Sequence, residues 1–237
     1  MGVLPVGSIY ESGEYLAHNP TWHVEDSEWK ASKVLQALER LKIAPASLCE
    51  IGCGAGEILR QLHSHLPDCK FTGYEISVQA YELAKERRVP GLDFQLTDIL
   101  ESTEGRPHYD VALALDVFEH VGDYYSFLRN MKGLADTKIF HIPLEWTLEA
   151  TLRPKLLKKW RDQIGHIHYF NKDTALLALE NCGYQVLDWV YTPWLFEIHR
   201  PSVGRAMRRW ALKAVCAVNV DLGVRTLEGH SMLVSAL

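Results

Sequence analysis

Short apolar runs alternate with amphipathic segments along the middle of the chain. The runs cover residues 47–52, 70–76, 92–98, 110–116 and 138–143. Between them, the spacing of apolar positions predicts helices over residues 57–66, 78–87 and 124–134. Strands separated in this way pair in parallel, with helices on both faces of the sheet. The fourth run contains V-A-L-A-L, which is typical of a central strand covered on both sides.

The two ends of the chain depart from this alternation. Residues 1–24 predict an extended arm, and a helix capped by Asp26 or Ser27 follows and ends near Lys42. After residue 143 we expect a helical insertion (144–165), a helix (173–181), a long strand (184–196), a basic helix (201–217) and a last strand (230–237). We expect one domain over 1–237, divided into arm and helix (1–45), a first half (46–143), the insertion and a C-terminal part of the sheet (166–237).

Composition narrows the class of protein. Apolar residues make up 47% of the chain and charged residues 23%, as in ordinary globular proteins. The net charge of -5 argues against a dedicated nucleic-acid binder. Five cysteines without metal-type spacing predict reduced thiols, and no signal peptide or membrane-spanning run is recognised. We therefore expect a cytoplasmic protein that binds no nucleic acid.

A glycine-rich turn stands where the first predicted strand meets the first helix. Glu50 is followed by Gly52, Gly54 and Gly56. Glycines let the backbone turn tightly and approach a ligand, and the helix N-terminus offers unpaired N–H groups. A dinucleotide site has G-x-G-x-x-G/A, so that pyrophosphate can lie on the helix end. Here the third glycine comes one residue early and Glu57 follows it, which disfavours a nicotinamide dehydrogenase because a carboxylate would repel pyrophosphate.

Acidic residues stand at the ends of the next three runs. Glu75 ends the second run, 19 residues after Gly56, where a carboxylate can accept hydrogen bonds from ribose hydroxyls. Asp98 ends the third run and can accept a hydrogen bond from an adenine amino group, while Ile99 packs on the ring. Asp116 ends the fourth run and begins the motif D-V-F-E-H. These groups predict a ligand site at the carboxyl edge of the sheet.

This combination of motifs resembles the class I S-adenosylmethionine-dependent methyltransferases, and within them the small-molecule branch that includes the ubiquinone-biosynthesis O-methyltransferases. The resemblance covers roughly residues 46–197. It implies a Rossmann-like seven-stranded sheet in the order 3-2-1-4-5-7-6 with the last strand antiparallel, S-adenosylmethionine as the cofactor, and residues 46–143 as the cofactor-binding half. The expected cofactor-site residues are Glu50, Gly52, Cys53, Gly54, Gly56, Glu75, Ile76, Asp98, Ile99, Asp116 and Val117.

Histidines near the same edge are candidates for removing a proton from a hydroxyl acceptor. Histidine titrates in the range that general base catalysis requires. His120 is the first candidate because it lies one turn beyond Asp116, and His168 is the second; His141 and His166 are expected at the same edge. We expect the acceptor to be a small molecule that is methylated on a hydroxyl oxygen. The alternative is a catalytically inactive relative that binds the cofactor and serves as a regulatory partner.

Three further features bear on the acceptor. Asp116, Glu119 and His120 are spaced i, i+3 and i+4, so they share one face of a helical turn, and their oxygen ligands would suit magnesium. A Glu-His pair at this place more often shapes the pocket without an ion, so we expect no metal. The aromatic arm (Tyr10, Tyr15, Trp22 and His23) and the insertion are candidate covers over the site. The basic faces of the insertion (Arg153, Lys155, Lys158, Lys159 and Arg161) and of the late helix (Arg205, Arg208, Arg209 and Lys213) could meet an anionic acceptor or an anionic membrane surface.

Overall fold

The computed structural model describes residues 19, 21–22, 24–101, 104–198, 203–227 and 229–237, without the side chains of residues 203–205. The strands are β1 (Ser47–Ile51), β2 (Lys70–Glu75), β3 (Leu92–Leu96), β4 (Tyr109–Leu115), β5 (Ala135–Pro143), β6 (Val186–Thr192) and β7 (Ser231–Ala236). The α-helices are α1 (Ser27–Leu41), α2 (Glu57–His65), α3 (Val78–Lys85), α4 (Tyr124–Lys132), α5 (Leu148–Leu152), α6 (Lys155–Ile164), α7 (Lys172–Asn181), α8 (Trp194–Glu197), α9 (Val203–Val218) and α10 (Val220–Thr226). Short 3-10 helices cover Val24–Asp26 and Phe118–His120.

The strands form one seven-stranded sheet in the order β3-β2-β1-β4-β5-β7-β6. Strands β1 to β5 pair in parallel, and β7 pairs antiparallel with both β5 and β6. The predicted strand order and the antiparallel last strand are therefore confirmed.

Apolar side chains of β4 divide between two cores, one on each face of the sheet. Ala112 and Ala114 pack in the core that α4 and α7 cover, whereas Val111, Leu113 and Leu115 pack in the core that α1, α2 and α3 cover. The alternation follows from the period of two along a strand. Because both faces are buried, β4 has to be apolar at every one of these positions, as its sequence indicates.

The C-terminal third differs from the prediction in detail. The expected strand over 184–196 ends at Thr192, because Pro193 has no N–H to donate to the sheet, and the short helix α8 follows. The insertion forms two helices, α5 and α6, which are separated at Pro154. The helix α10 was not predicted; it begins where the Asn219 side chain accepts a hydrogen bond of 3.0 Å from the backbone N–H of Leu222.

The carboxyl ends of β1 to β5 meet at one edge of the sheet because these strands are parallel. The glycine turn leaves this edge after β1, and the insertion leaves it after β5. Within the described part of the chain, no helix has the length and apolar character that crossing a bilayer requires.

Candidate active site

A cavity of about 810 Å³ opens at the carboxyl edge of the sheet. Its volume lies in the upper part of the range for small-molecule sites, about 300–1,000 Å³. Residues of the glycine turn and of the ends of β2, β3 and β4 form one end, which we call the glycine end: Glu50, Gly52, Cys53, Gly54, Glu75, Ile76, Asp98, Ile99, Asp116 and Val117. Residues beyond β4 and β5 form the other end, which we call the histidine end: His120, His141, Glu145, Trp160 and His166. Residues Trp29 and Lys30 of α1 also line the cavity.

The three glycines of the turn have left-handed backbones but different roles. Gly52, Gly54 and Gly56 have φ of 68°, 55° and 77°. A Cβ on Gly54 would meet no atom nearer than the Trp22 ring at 4.0 Å, so the backbone there is open to a ligand. A Cβ on Gly56 would lie 2.5 Å from the Phe94 ring. Gly56 is not among the cavity-lining residues, and its role is to let α2 pack closely against β3.

Glu75 fixes the turn through its carboxylate. Oε2 accepts a hydrogen bond of 2.8 Å from the N–H of Gly54, and Oε1 accepts hydrogen bonds from the N–H groups of Ile76 (2.8 Å) and Ser77 (2.7 Å). Burial raises the pKa of Glu75, and the three backbone donors oppose that shift. A carboxylate oxygen accepts two hydrogen bonds, so Oε2 can accept one more from a ligand hydroxyl.

Glu50 is buried at the end of β1 and needs a partner. Its Oε2 atom has no hydrogen bond to any described residue. The N–H groups of Gly52 and Cys53 donate instead to the Tyr74 carbonyl oxygen, so the Glu50 carboxylate does not hold the turn through them. Burial raises the pKa of Glu50 to about 8, although Lys30 nearby lowers it. A cationic donor from a ligand would satisfy this group.

Asp116 is bound by protein side chains on both oxygens. Oδ2 lies 2.7 Å from Nζ of Lys30, and Oδ1 lies 2.6 Å from Nδ1 of His141. His141 continues the chain through Nε2, which lies 2.9 Å from Oγ1 of the buried Thr192. Burial alone would raise the pKa of Asp116, but His141 and Lys30 hold it well below its usual range. Asp116 lines the cavity with a charge that the protein already balances.

Asp98 and two isoleucines form the outer part of the glycine end. One Asp98 oxygen accepts a hydrogen bond of 2.8 Å from the N–H of Leu100, and the exposed side chain lines the cavity. Ile76 is 65% exposed although it is apolar, and Ile99 is half-buried. Exposed apolar side chains of this kind can cover the faces of a flat ring.

Glu57 does not present a free negative charge to the cavity, contrary to our reasoning from the sequence. It pairs with Arg60 at 2.5 Å and with Arg87 at 3.0 Å, and Gln61 donates to it at 2.8 Å. These donors lower the pKa of Glu57 to about 2 despite its partial burial. The early third glycine is therefore the stronger argument against a dinucleotide, because the charge of Glu57 is compensated.

Two carboxyl groups and two imidazoles cluster at the histidine end. The His120 and His166 rings are 4.7 Å apart, and Nδ1 of His166 lies 2.7 Å from Oε2 of Glu145. Glu119 is fully buried behind them, with Oε1 4.0 Å from Nε2 of His120, which is too long for a hydrogen bond. Burial raises the pKa of Glu119 and raises that of Glu145 to about 8, with Asp116 adding to both shifts. Burial lowers the pKa of His166 to about 4.

His168 lies apart from this cluster. Its Nε2 atom donates to the carbonyl oxygen of Val121 at 3.0 Å, and its ring packs against Tyr124. It lines a smaller cavity of about 330 Å³ with Trp146 and other aromatic residues, and it is not among the residues that line the large one. Of the two histidines predicted to act on the acceptor, the structure places only His120 at the large cavity.

Several cavity residues were missed by the sequence analysis. Glu145 follows the carboxyl end of β5 by two residues, and the rule that ligands bind beyond such ends could have identified it. Lys30 carries no local signal, because its partner Asp116 is 86 positions away in sequence. Trp160 is on α6 in the insertion, where any of several apolar residues could have turned inward. Among the arm residues named as a cover, Trp22 lines the cavity, whereas Tyr10, Tyr15 and His23 lie outside the described residues.

Basic residues of the insertion and of α9 are partly engaged by the protein. Arg153 and Arg208 both pair with Glu149, and Lys158 pairs with Asp162. Arg209 donates to the carbonyl oxygen of Phe196 at 3.0 Å. The side chain of Arg205 lies outside the described residues.

Residues 22–188 match a family model described as a methyltransferase domain. The chain belongs to this family. No curated protein matches the methyltransferase in sequence. In fold it is similar to magnesium protoporphyrin IX methyltransferase from Synechocystis PCC 6803 with bound S-adenosylmethionine (TM-score 0.63, 13% identity, 100% of this chain and 98% of the other). It is also similar to the N-methyltransferase NodS from Bradyrhizobium japonicum WM9 (0.55, 18%, 87% and 84%) and to the plantazolicin methyltransferase BpumL (0.61, 16%, 95% and 88%), both in complex with S-adenosylhomocysteine.

The methyltransferase uses S-adenosylmethionine as its methyl donor. The glycine end fits this cofactor, because Gly54 leaves its backbone open to a ligand and Oε2 of the buried Glu50 has no hydrogen-bond partner among the described residues, a partner that an ammonium group would supply. The narrower resemblance to the ubiquinone branch is not confirmed, since none of these three structures is described as such an enzyme.

Proposed function

We propose that the enzyme methylates a hydroxyl oxygen of a small molecule that enters the histidine end of the cavity. The observation that carries this proposal is the single cavity that joins the cofactor-compatible glycine end to a cluster of imidazoles and carboxyls. In the transfer, the bond between the sulfonium and the methyl carbon breaks as the oxygen–carbon bond forms. The sulfonium becomes a neutral thioether, and the hydroxyl proton leaves to a base or to water.

The residues of the glycine end would hold S-adenosylmethionine and orient its methyl group toward the acceptor. Glu75 would accept a hydrogen bond from a ribose hydroxyl on Oε2, beside the Gly54 N–H that already fixes this atom. Glu50 would accept from the ammonium group of the methionine moiety, and Asp98 with Ile76 and Ile99 would receive the adenine. Held in this way, the reacting atoms need little further ordering, and orientation alone accounts for a large part of such rate enhancements.

The walls of the histidine end suit a small and partly apolar acceptor. The rings of Trp29, Trp160 and Trp194 line the cavity, so an acceptor there would be shielded from water. Similar structures include enzymes named for a porphyrin and for plantazolicin, which supports a small-molecule acceptor for this chain as well.

We propose that removal of the proton from the acceptor hydroxyl requires His120. A panel of phenolic and aliphatic hydroxyl compounds, assayed for S-adenosylhomocysteine release and for the methylated atom, tests the reaction. His120→Ala should lower turnover by about 10²–10⁴-fold with nearly intact cofactor binding. The matched control is His168→Ala, which should stay within a few-fold of the wild type because that ring faces the smaller cavity.

Two results would contradict this function. Methylation of a nitrogen or a carboxylate would exclude the hydroxyl acceptor. Cofactor binding without turnover on any acceptor would favour the alternative, an inactive regulatory relative.

A further inference from the structure

The histidine end contains a buried carboxyl that the protein leaves unsatisfied. Glu119 is 0% exposed, and neither of its oxygens has a hydrogen-bond partner among the described residues. A buried polar group without a partner destabilises the folded state, and a charged one does so more strongly. Such a group, two residues from the cavity-lining Val117, indicates that something else completes the site.

Two imidazoles lie where they could share a ligand with Glu119. One donor atom each from Glu119, His120 and His166 lies within 4.8 Å of the others. A tetrahedral cation bound at about 2.0–2.2 Å from each atom holds its donor atoms about 3.3–3.6 Å apart. The donor atoms would therefore need to approach one another by up to about 1.5 Å, which rotations of the three side chains can provide.

Glu145 supplies the outer contact that metal-bound histidines generally have. Its Oε2 atom lies 2.7 Å from Nδ1 of His166, which fixes the ring and directs Nε2 away from Glu145. A carboxylate that accepts from the other ring nitrogen orients a metal-binding histidine and raises its basicity. Glu145 is itself buried, so this orientation is held inside the protein.

We propose that Glu119, His120 and His166 bind one divalent transition-metal cation at the wall of the histidine end. Two imidazoles with one carboxylate suit zinc, iron or a similar ion better than magnesium, which prefers oxygen ligands throughout. This set differs from the magnesium set that the sequence suggested and that we did not expect to be occupied. Both Asp116 oxygens are held by Lys30 and His141, and His166 takes its place from a distant part of the chain.

A cation at this site would activate the acceptor hydroxyl, and this role rests on the hydroxyl methylation proposed above. His120 and His166 line the cavity, and three protein ligands leave an open position toward it. An acceptor hydroxyl bound there would lose its proton to water more readily, because the cation stabilises the oxyanion. The oxyanion would then attack the methyl carbon, and His120 would act through the cation rather than as the proton acceptor itself.

Zinc binding to the full chain tests the site without any acceptor. Metal-stripped protein is dialysed against Zn²⁺ alone, and bound zinc is counted by elemental analysis. The wild type should bind one ion that Glu119→Gln and His166→Ala lose, and Glu145→Gln should weaken this binding by about 10–100-fold. His168→Ala is the matched control, since it removes a neighbouring imidazole outside the cluster. Binding of S-adenosylhomocysteine by each variant shows that it is folded.

The result that overturns the inference is equal zinc binding by the wild type and by folded Glu119→Gln and His166→Ala, or no tight site in the wild type. The proposed function fails separately. A tight zinc site in an enzyme that methylates no hydroxyl would leave the metal site standing and remove the reaction. If the chain binds no zinc and still methylates a hydroxyl fully after treatment with a chelator, the proposed reaction stands and the metal site is excluded.

Discussion

At the scale of single residues, Glu75 has two tasks that one experiment can separate. Its carboxylate holds Gly54, Ile76 and Ser77 and is also proposed to bind ribose. Glu75→Ala should weaken binding of S-adenosylhomocysteine by about 1.5–3 kcal/mol, the range for hydrogen bonds to a charged group. Titration calorimetry measures this loss, and Glu82→Ala on the exposed face of α3 serves as the control.

An analogue of S-adenosylhomocysteine that lacks one ribose hydroxyl shows which task is lost. The wild type should bind this analogue more weakly than S-adenosylhomocysteine. Glu75→Ala should bind the two compounds about equally well. If the analogue loses the same affinity in both proteins, Glu75 only stabilises the turn and the ribose assignment fails.

Residues of the glycine end could be predicted because each belongs to a local motif at the end of a strand. The roles of the neighbouring residues Gly56 and Glu57 could not be predicted in the same way. Gly56 packs against Phe94, and Glu57 is neutralised by Arg87, a residue 30 positions away. Contacts of this kind depend on how helices pack on the sheet, and one sequence does not reveal them.

At the scale of elements, Glu57 connects α2 to the turn after α3 through Arg87. Its folded-state pKa of about 2 lies below the ordinary value of 4.5, so the pair stabilises the fold above about pH 4.5 and is lost as pH falls toward 2. Glu57→Gln should lower the free energy of unfolding at pH 7 by about 1–2 kcal/mol, less than the full shift implies because Arg60 is half exposed. Urea denaturation at a series of pH values measures the difference.

The difference between wild type and Glu57→Gln should shrink steadily from pH 5 to pH 2. The control is Glu82→Gln, which removes an exposed pair with Lys85 and should change stability by less than about 1 kcal/mol. A difference that is constant over this pH range would show that Glu57 contributes by packing rather than by charge.

The helices α5 and α6 are the elements that we expect to close over the acceptor. Trp160 and Ile164 of α6 line the cavity, and Leu152 at the end of α5 is exposed and apolar. Amide exchange over residues 148–164 should slow when S-adenosylhomocysteine and an acceptor are bound together, because the cover then opens less often. Hydrogen exchange followed by mass spectrometry measures this, and β4, which is buried over residues 111–115, is the segment that should not change. Equal exchange in free and bound enzyme would exclude a moving cover.

The order of the strands was predictable, whereas the boundaries after β5 were not. Apolar runs and glycine turns mark β1 to β5 clearly, and the resemblance implied the remaining order. Beyond the insertion (144–165), β6 and helix α10 belong to a C-terminal part of the chain whose packing against the sheet edge a single sequence does not reveal. The clustering of Glu119, Glu145 and His166 arises from the same packing, so the histidine end could not be assembled from spacing alone.

At the scale of the whole molecule, cofactor binding should be visible as stability. The cavity joins α1, the ends of β1 to β5 and the insertion, so a ligand there contacts elements from most of the chain. A ligand that binds only the folded state stabilises it by about 2.7 kcal/mol at a concentration of 100 times its Kd. For a domain of about 150–250 residues, each kcal/mol raises Tm by about 2–4 °C, so S-adenosylhomocysteine should raise Tm by about 5–11 °C.

The same measurement distinguishes the cofactor classes that the glycine turn could serve. NAD at equal concentration should leave Tm unchanged, because the third glycine comes one residue too early for the pyrophosphate turn, whatever the charge on Glu57. Thermal unfolding followed by intrinsic fluorescence suits both ligands, given seven tryptophans of which Trp22, Trp29, Trp160 and Trp194 line the cavity. A shift with NAD that equals the shift with S-adenosylhomocysteine would mean that the adenosine part alone is recognised, and that the Glu50 carboxyl contributes nothing to choosing the methionine moiety.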